Sequence, residues 1–217
     1  MPKFVERVRP QSEASANDTP VYKVGAVILR QPKPDGSTDI QGQESGGVEV
    51  LIVQPIPKNE GEQPKLVLPR GSRKYKYQDP DGTRHSGDVR DAETARRYAH
   101  SLESLPHALL REVYEEAGMK HASLRKQEVF ELGTRAFQSA TKSPYDVHWY
   151  VIWPDKKAQR EMDPNPIDAL QTRWATLEEI EDLAERGLFS QGYLPVIREA
   201  VEKSYYRPAD FPRVDFS

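Results

Sequence analysis

The stretch from Glu103 to Met119 reads ESLPHALLREVYEEAGM, and its acidic residues are spaced for joint chemistry. Glu112, Glu115 and Glu116 stand at i, i+3 and i+4, so a helix would crowd their carboxylates onto one face. Like charges at that spacing repel by roughly a few tenths of a kcal/mol per pair. A cluster of hard oxygen donors on a rigid element suits Mg²⁺ or Mn²⁺, and such a cation would cancel the repulsion. Arg111 and Gly118 frame the three glutamates. The competing reading is a solvated acidic face: Leu105, Leu109, Val113 and Ala117 form an apolar stripe, and Gly118 suits the residue that ends a helix. Three glutamates alone favour that second reading, because charge runs usually just face solvent.

The wider pattern reverses the balance. Glu103 is followed, after seven residues, by Arg111-Glu112, and then by Val113, Tyr114, Glu115-Glu116, Ala117, Gly118 and Met119. This resembles the second half of the box that defines the Nudix hydrolases. In that box a glycine precedes the first glutamate with five residues between, where this chain has Arg97. The segment Leu68-Pro69-Arg70-Gly71 resembles the strand end that opens many such boxes, so Gly71 takes the glycine's place and an insertion of about 26 residues divides the motif. The resemblance implies an α/β fold, a Nudix-type α/β/α sandwich with a mixed sheet between helices, over residues 20–205. It implies a Mg²⁺ or Mn²⁺ cofactor held by Glu115 and Glu116, with Glu112 as a further ligand or as the base for the attacking water. It implies metal ligation by the main-chain carbonyl of Arg70, and an Arg111–Glu103 pair that fixes the loop of Gly71 against the helix ended by Gly118. A distal acidic residue often joins the site in this family; Asp146, Glu161 and Asp163 are the candidates.

Other motifs fail on inspection. Gly87 and Glu93 also show the glycine-x5-glutamate spacing, but Ser101-Leu102 stands where Arg-Glu should follow, so Gly87 reads as a loop residue. Gly82 and Gly87 have P-loop spacing, yet Asp88-Val89 replace the lysine and hydroxyl residue that hold phosphate and magnesium. None of the five histidines falls in a zinc-binding array; His107 reads as a surface residue.

The chain of 217 residues can bury a sizeable core. A net charge of −3 gives no global attraction to nucleic acid or anionic membrane. Zero cysteines exclude disulfides and fit a reducing cytoplasm. The N-terminal residues lack the apolar core of a signal peptide, and the longest apolar run, Val24 to Leu29, is too short to span a bilayer. The expectation is a cytoplasmic enzyme with a small phosphorylated substrate, no membrane and no stable nucleic-acid partner, monomeric or a homodimer.

Residues 1–19 read as a polar arm and 206–217 as a tail. Val21 to Leu29 and Val48 to Val53 are β-branched runs that read as strands, with a turn-rich loop between them. Leu66 to Leu68 should be a short strand delivering Arg70-Gly71 to the site. Ser104 is placed as an N-cap with Pro106 in the first turn. Val129 to Phe137 and Val147 to Trp153 read as strands. Thr176 and Glu179 form a capping-box signature for a helix to about Arg186, and a last helix runs from about Tyr193 to Tyr205.

In the insertion, residues 72–100, Ser72 to Tyr77 alternates bases and aromatics, Asp79 to Gly82 signals a turn, and Asp91 to His100 suits a short helix. Arg73, Lys74 and Lys76 adjoin the carboxylates and could contact substrate phosphates; a solvated hairpin or an oligomer contact is the even alternative. The favoured activity is hydrolysis of a diphosphate linkage in a nucleoside diphosphate joined to another moiety, leaning to dinucleoside polyphosphates. Diphosphoinositol polyphosphates are an alternative. ADP-ribose and nucleotide sugars are another, weakened by Arg135 standing where ADP-ribose pyrophosphatases of the family carry proline. Phe137 could stack on a base, though a core position suits it better. A non-catalytic binding protein of the same fold would have no use for three mutually repelling carboxylates.

Overall fold

The computed structural model describes residues 21–31, 47–57, 60–61, 64–139, 142–162, 168–204, 213–214 and 216. The expected arm at 1–19, nearly all of the loop before Val48, and Asp163 lie outside them. In chain order the elements are β1 (Lys23–Arg30), β2 (Glu49–Pro55), β3 (Arg70–Ser72), β4 (Lys74–Gln78), β5 (Arg84–Asp88), α1 (Ala92–Arg97), α2 (Leu105–Ala117), α3 (His121–Leu124), β6 (Glu128–Ser139), β7 (Lys142–Trp153), α4 (Lys156–Glu161), β8 (Ala169–Thr176), α5 (Leu177–Glu185) and α6 (Leu194–Ser204).

Between its terminal Lys23 and Arg30, β1 is apolar because the sheet is covered on both faces. Ala26 and Ile28 pack with Leu109, Val113 and Ala117 of α2, whereas Val27 and Leu29 pack with Ile180 and Leu183 of α5 and Val196 and Ile197 of α6. Alternate residues of one strand thus feed two separate cores. The main sheet runs β6-β7-β1-β2-β8. β1 and β7 are parallel, and the other pairings within the sheet are antiparallel. This is a mixed sheet between helices, as the resemblance implied.

β1 divides its second edge between two partners. Its C-terminal residues Leu29 and Arg30 pair with β2, and its N-terminal residues Lys23 to Gly25 pair with β3. That split lets β3 leave the sheet plane toward α2. Leu66 to Leu68 forms only isolated bridges, Val53 to Val67 and Leu66 to Phe189; the regular strand begins at Arg70.

The insertion is a β4–β5 hairpin followed by α1. Gly87, expected in a loop, lies in β5 opposite Tyr75. Its closeness to the Tyr75 side chain favours glycine: an added Cβ would meet the hydroxyl at 3.2 Å and the ring at 3.3 Å. The insertion's two ends are joined: Glu103 N–H donates to the Lys74 carbonyl at 2.8 Å, and Tyr75 bridges Leu102. The extra residues therefore leave and return at one point. Among the described residues no helix is long and apolar enough to cross a membrane.

Candidate active site

α2 is built as its sequence demands. The Ser104 hydroxyl caps it by accepting the His107 N–H, Pro106 lies in the first turn, and Gly118 closes it with φ 69°. His107 is exposed, as expected of a surface residue. The apolar stripe anchors the helix on β1, which turns Arg111, Glu112, Glu115 and Glu116 toward β3.

The register of β3 explains what they meet there. Ala26 N–H donates to the Pro69 carbonyl, so Pro69 and Ala26 form a hydrogen-bonded pair. Arg70 and Ser72, each a step out of phase with such a pair, must aim their main-chain groups away from β1. They do: Arg70 N–H donates to Glu116 Oε2 at 2.8 Å, and the Ser72 carbonyl accepts from Arg111 at 2.7 Å. By the same parity the Arg70 carbonyl faces away from β1. Between them, Gly71 is required by contact, since a Cβ there would overlap the Glu112 carboxyl at 1.9 Å.

Arg111 ties the pieces together. Its guanidinium donates to both oxygens of Glu103 at 3.3 and 2.9 Å, to Glu112 at 2.5 Å and to Glu115 at 3.0 Å. Glu103 in turn accepts the Lys74 N–H at 3.1 Å. The two halves of the motif, separated in sequence by the insertion, are adjacent because the neck at Lys74 and Glu103 is closed.

Electrostatics mark the same residues. Burial pushes the Glu112 carboxyl up to about 7, and Arg111 offsets only part of that effect. Burial likewise raises Glu116 to about 8 against the opposing Arg70 N–H, while the charges of Glu112 and Asp168 add to the rise. Two acids held so far above the ordinary carboxylate range are poorly compensated anions. Among the described residues no three Asp, Glu, His or Cys side chains already converge on one point. Glu112 and Glu115 are turned onto Arg111, and Glu116 onto Arg70 N–H. The donor set nevertheless fits a hard divalent cation in kind, being all carboxylate and under-compensated.

The remaining expected residues take different positions. The Arg70 side chain donates to the Tyr145 hydroxyl at 2.9 Å and lies over the Tyr193 ring, 5.2 Å from its centroid, a role the sequence did not signal. Lys74 approaches Glu115 at 3.7 Å, and Lys76 is exposed on the hairpin. Arg73 instead donates to the backbone carbonyls of Glu103 and Val21, so its guanidinium fastens the neck. Phe137 is core, buried against Tyr145, Trp149 and Tyr193. Arg135 is buried and held by both oxygens of Glu199 at 2.6 and 2.7 Å. Asp146 is exposed on β7, its charge acting on Tyr22; Glu161 ends α4. Asp168, just before β8 and not among the acids expected, is distant in sequence from Glu116 but adds its charge to the rise there. Its strand, ALQTRWAT, has too few apolar residues to be conspicuous in the sequence.

A Nudix hydrolase from Nitrosomonas europaea aligns over 86% of this chain and 88% of its own, at 19% identity and a TM-score of 0.45. A binary complex of the Caenorhabditis elegans Ap4A hydrolase aligns over 85% and 98%, at 17% identity and a TM-score of 0.46. The Mycobacterium smegmatis Nudix hydrolase RenU aligns over 84% and 86%, at 14% identity and a TM-score of 0.48. The chain is similar to Nudix hydrolases. No family model and no curated protein sequence matches it.

Proposed function

We propose that the chain is a Nudix hydrolase, a divalent-cation-dependent enzyme that cleaves a diphosphate linkage in a nucleoside diphosphate joined to another moiety. Phosphate-rich substrates such as dinucleoside polyphosphates fit it best. The observation that carries this reading is the assembly of Gly71, Glu103, Arg111 and the three helix glutamates across the insertion. Glu115 and Glu116, with Glu112 and the Arg70 carbonyl as further donors, would hold Mg²⁺ or Mn²⁺. That cation would neutralise anhydride oxygens and lower the pKa of water.

The chain's own residues supply the rest. Arg111 keeps Glu112 and Glu115 at the loop, so neither must be ordered when substrate arrives. Glu112, buried behind Gly71 and held by Arg111, is the carboxylate placed to take a proton from the attacking water, the role of a general base. Lys74 stands beside Glu115, where its ammonium can meet a phosphate oxygen. A cytoplasmic setting belongs to this reading and is supported by the absence of cysteine.

The test is hydrolysis of diadenosine polyphosphates, nucleoside triphosphates, ADP-ribose and diphosphoinositols, each with Mg²⁺, with Mn²⁺ and with EDTA. The expected result is turnover that EDTA abolishes and either cation restores. Full turnover in metal-free buffer refutes the reading.

A further inference from the structure

The β4–β5 hairpin has two unlike faces. Side chains alternate along a strand, and directly opposed residues share a face. Tyr75 and Tyr77 therefore lie with Gly87 and His85, whereas Lys74, Lys76 and Gln78 lie with Asp88, Ser86 and Arg84.

The aromatic face is occupied. Tyr75 stacks on Tyr98 with ring centroids 4.0 Å apart and planes 2° apart, and Tyr77 meets His100 edge-on at 5.6 Å. Tyr75 also packs with Val89, Ala95 and Leu102. These contacts fix the hairpin on the segment that follows it.

The other face is open and basic. Lys74 reaches Glu115 at one end, and Lys76 and Arg84 are exposed further along, without an ion-pair partner among the described residues. Asp88, opposite Lys74, is the one acid on this face. Lys74 to Gln78, the level of Arg84, spans four residues, or on the order of 13 Å of strand. A row of cations that begins at the proposed catalytic carboxylates and continues on a held strand matches a linear polyanion extending from the scissile bond.

We propose that Lys74, Lys76 and Arg84 form a phosphate-chain subsite, through which the insertion selects substrates whose anhydride chain continues beyond the cleaved diphosphate. The assignment rests on the hydrolase reading above for its direction. It differs from a reading by sequence proximity, because Arg73 is committed to backbone carbonyls and Arg84, distant in sequence, takes its place. Each cation supplies charge-assisted bonds to phosphate oxygens.

The experiment compares the parent chain with the double variant Lys76→Gln/Arg84→Gln. A control variant, Arg125→Gln/Lys126→Gln, removes the same charge from another exposed site. All four side chains replaced are charged and exposed, so thermal melts should superimpose. kcat/KM is measured for diadenosine di-, tri-, tetra- and pentaphosphate, and calorimetry in metal-free buffer measures binding of pyrophosphate and linear tripolyphosphate. The expected result is that the hairpin variant loses roughly tenfold or more of the long-over-short kcat/KM preference, as lost hydrogen bonds to charged groups predict. Its tripolyphosphate affinity should fall by a similar factor while the control keeps both. A preference and a tripolyphosphate affinity within twofold of the parent overturn the subsite, as does an equal loss in the control. If no diadenosine compound is hydrolysed but the hairpin variant alone loses tripolyphosphate binding, the subsite stands and the hydrolase reading falls.

Discussion

Replacing Arg111 by alanine would remove a side chain that bonds both halves of the motif. The guanidinium is 15% exposed and its partners Glu103, Glu112 and Glu115 are 20%, 10% and 26% exposed, so the network is largely withdrawn from water. Removing one member of a buried ion pair costs about 3–5 kcal/mol, because the remaining charge is stranded. Two features of this site lower that figure. Glu112, already raised to about 7, can escape by taking up a proton, and Glu103 keeps the Lys74 N–H. The expected loss for Arg111→Ala is therefore about 2–3 kcal/mol, or a fall in Tm of roughly 5–10 °C for a chain of this size. Urea unfolding followed by circular dichroism measures it, and a cycle with Glu103→Gln should show coupling of about 1 kcal/mol or more. Arg111→Lys should recover only part of the stability, since an ammonium cannot fork to Glu103 while also reaching Ser72. If Arg111→Ala unfolds within about 0.5 kcal/mol of the parent, it behaves as an ordinary surface substitution and the proposed lock is wrong.

Glu116→Gln keeps the size of the side chain but removes its charge, and should lower kcat by at least about 100-fold, the upper range for a residue that merely supports a metal ligand; near-parental turnover would mean the wrong carboxylates have been chosen. Gly71→Ala forces its methyl into the Glu112 carboxyl, so activity and Tm should fall together, and a crystal structure with Glu112 undisplaced would contradict this. Glu112 and Glu116 are raised in the folded protein to about 7 and about 8, so the native state binds more protons than the unfolded chain between the ordinary carboxylate range and those values. Metal-free stability should therefore be fully present at acid pH and decline as pH rises through 7 to 8; the double variant Glu112→Gln/Glu116→Gln should flatten the slope, and denaturation midpoints across pH 5 to 9 that rise or stay level would exclude the effect.

Much of this arrangement could be read from residue types. The apolar run Val24 to Leu29 announced a central strand, and Ser104, Pro106 and Gly118 marked the bounds of α2. The Thr176–Glu179 capping box is present in both directions at the start of α5. What escaped were features decided by partners distant in sequence. β3 is three residues long and exists because β1 offers it half an edge. Arg73 looked like a phosphate contact by proximity, but it lies at the junction of β3 and β4, and which way its side chain points depends on backbone pairing with Tyr22 and Val89, distant in sequence. Asp168 directly precedes a strand with a weak apolar pattern, so nothing local distinguished it from other loop acids. The tail at 206–217 is not wholly free either: Val214 N–H donates to the Val129 carbonyl at the border of β6.

The closed neck at Lys74 and Glu103 has a consequence for engineering. An antiparallel bridge holds the two chain ends side by side, and the helix glutamates are supported from the near side of that bridge. Most of the β4–β5 hairpin beyond it is exposed and is mechanically a cassette, while Val89 and Ala95 of the same insertion pack with Tyr22 before β1. Because closure entropy rises by only about 0.6 kcal/mol per doubling of loop length, cassettes of very different size should be tolerated there. A peptide epitope, a fluorescent reporter or a foreign substrate-recognition hairpin could be exchanged at that port, with the carboxylate site serving as a fixed chassis and its specificity as an interchangeable part.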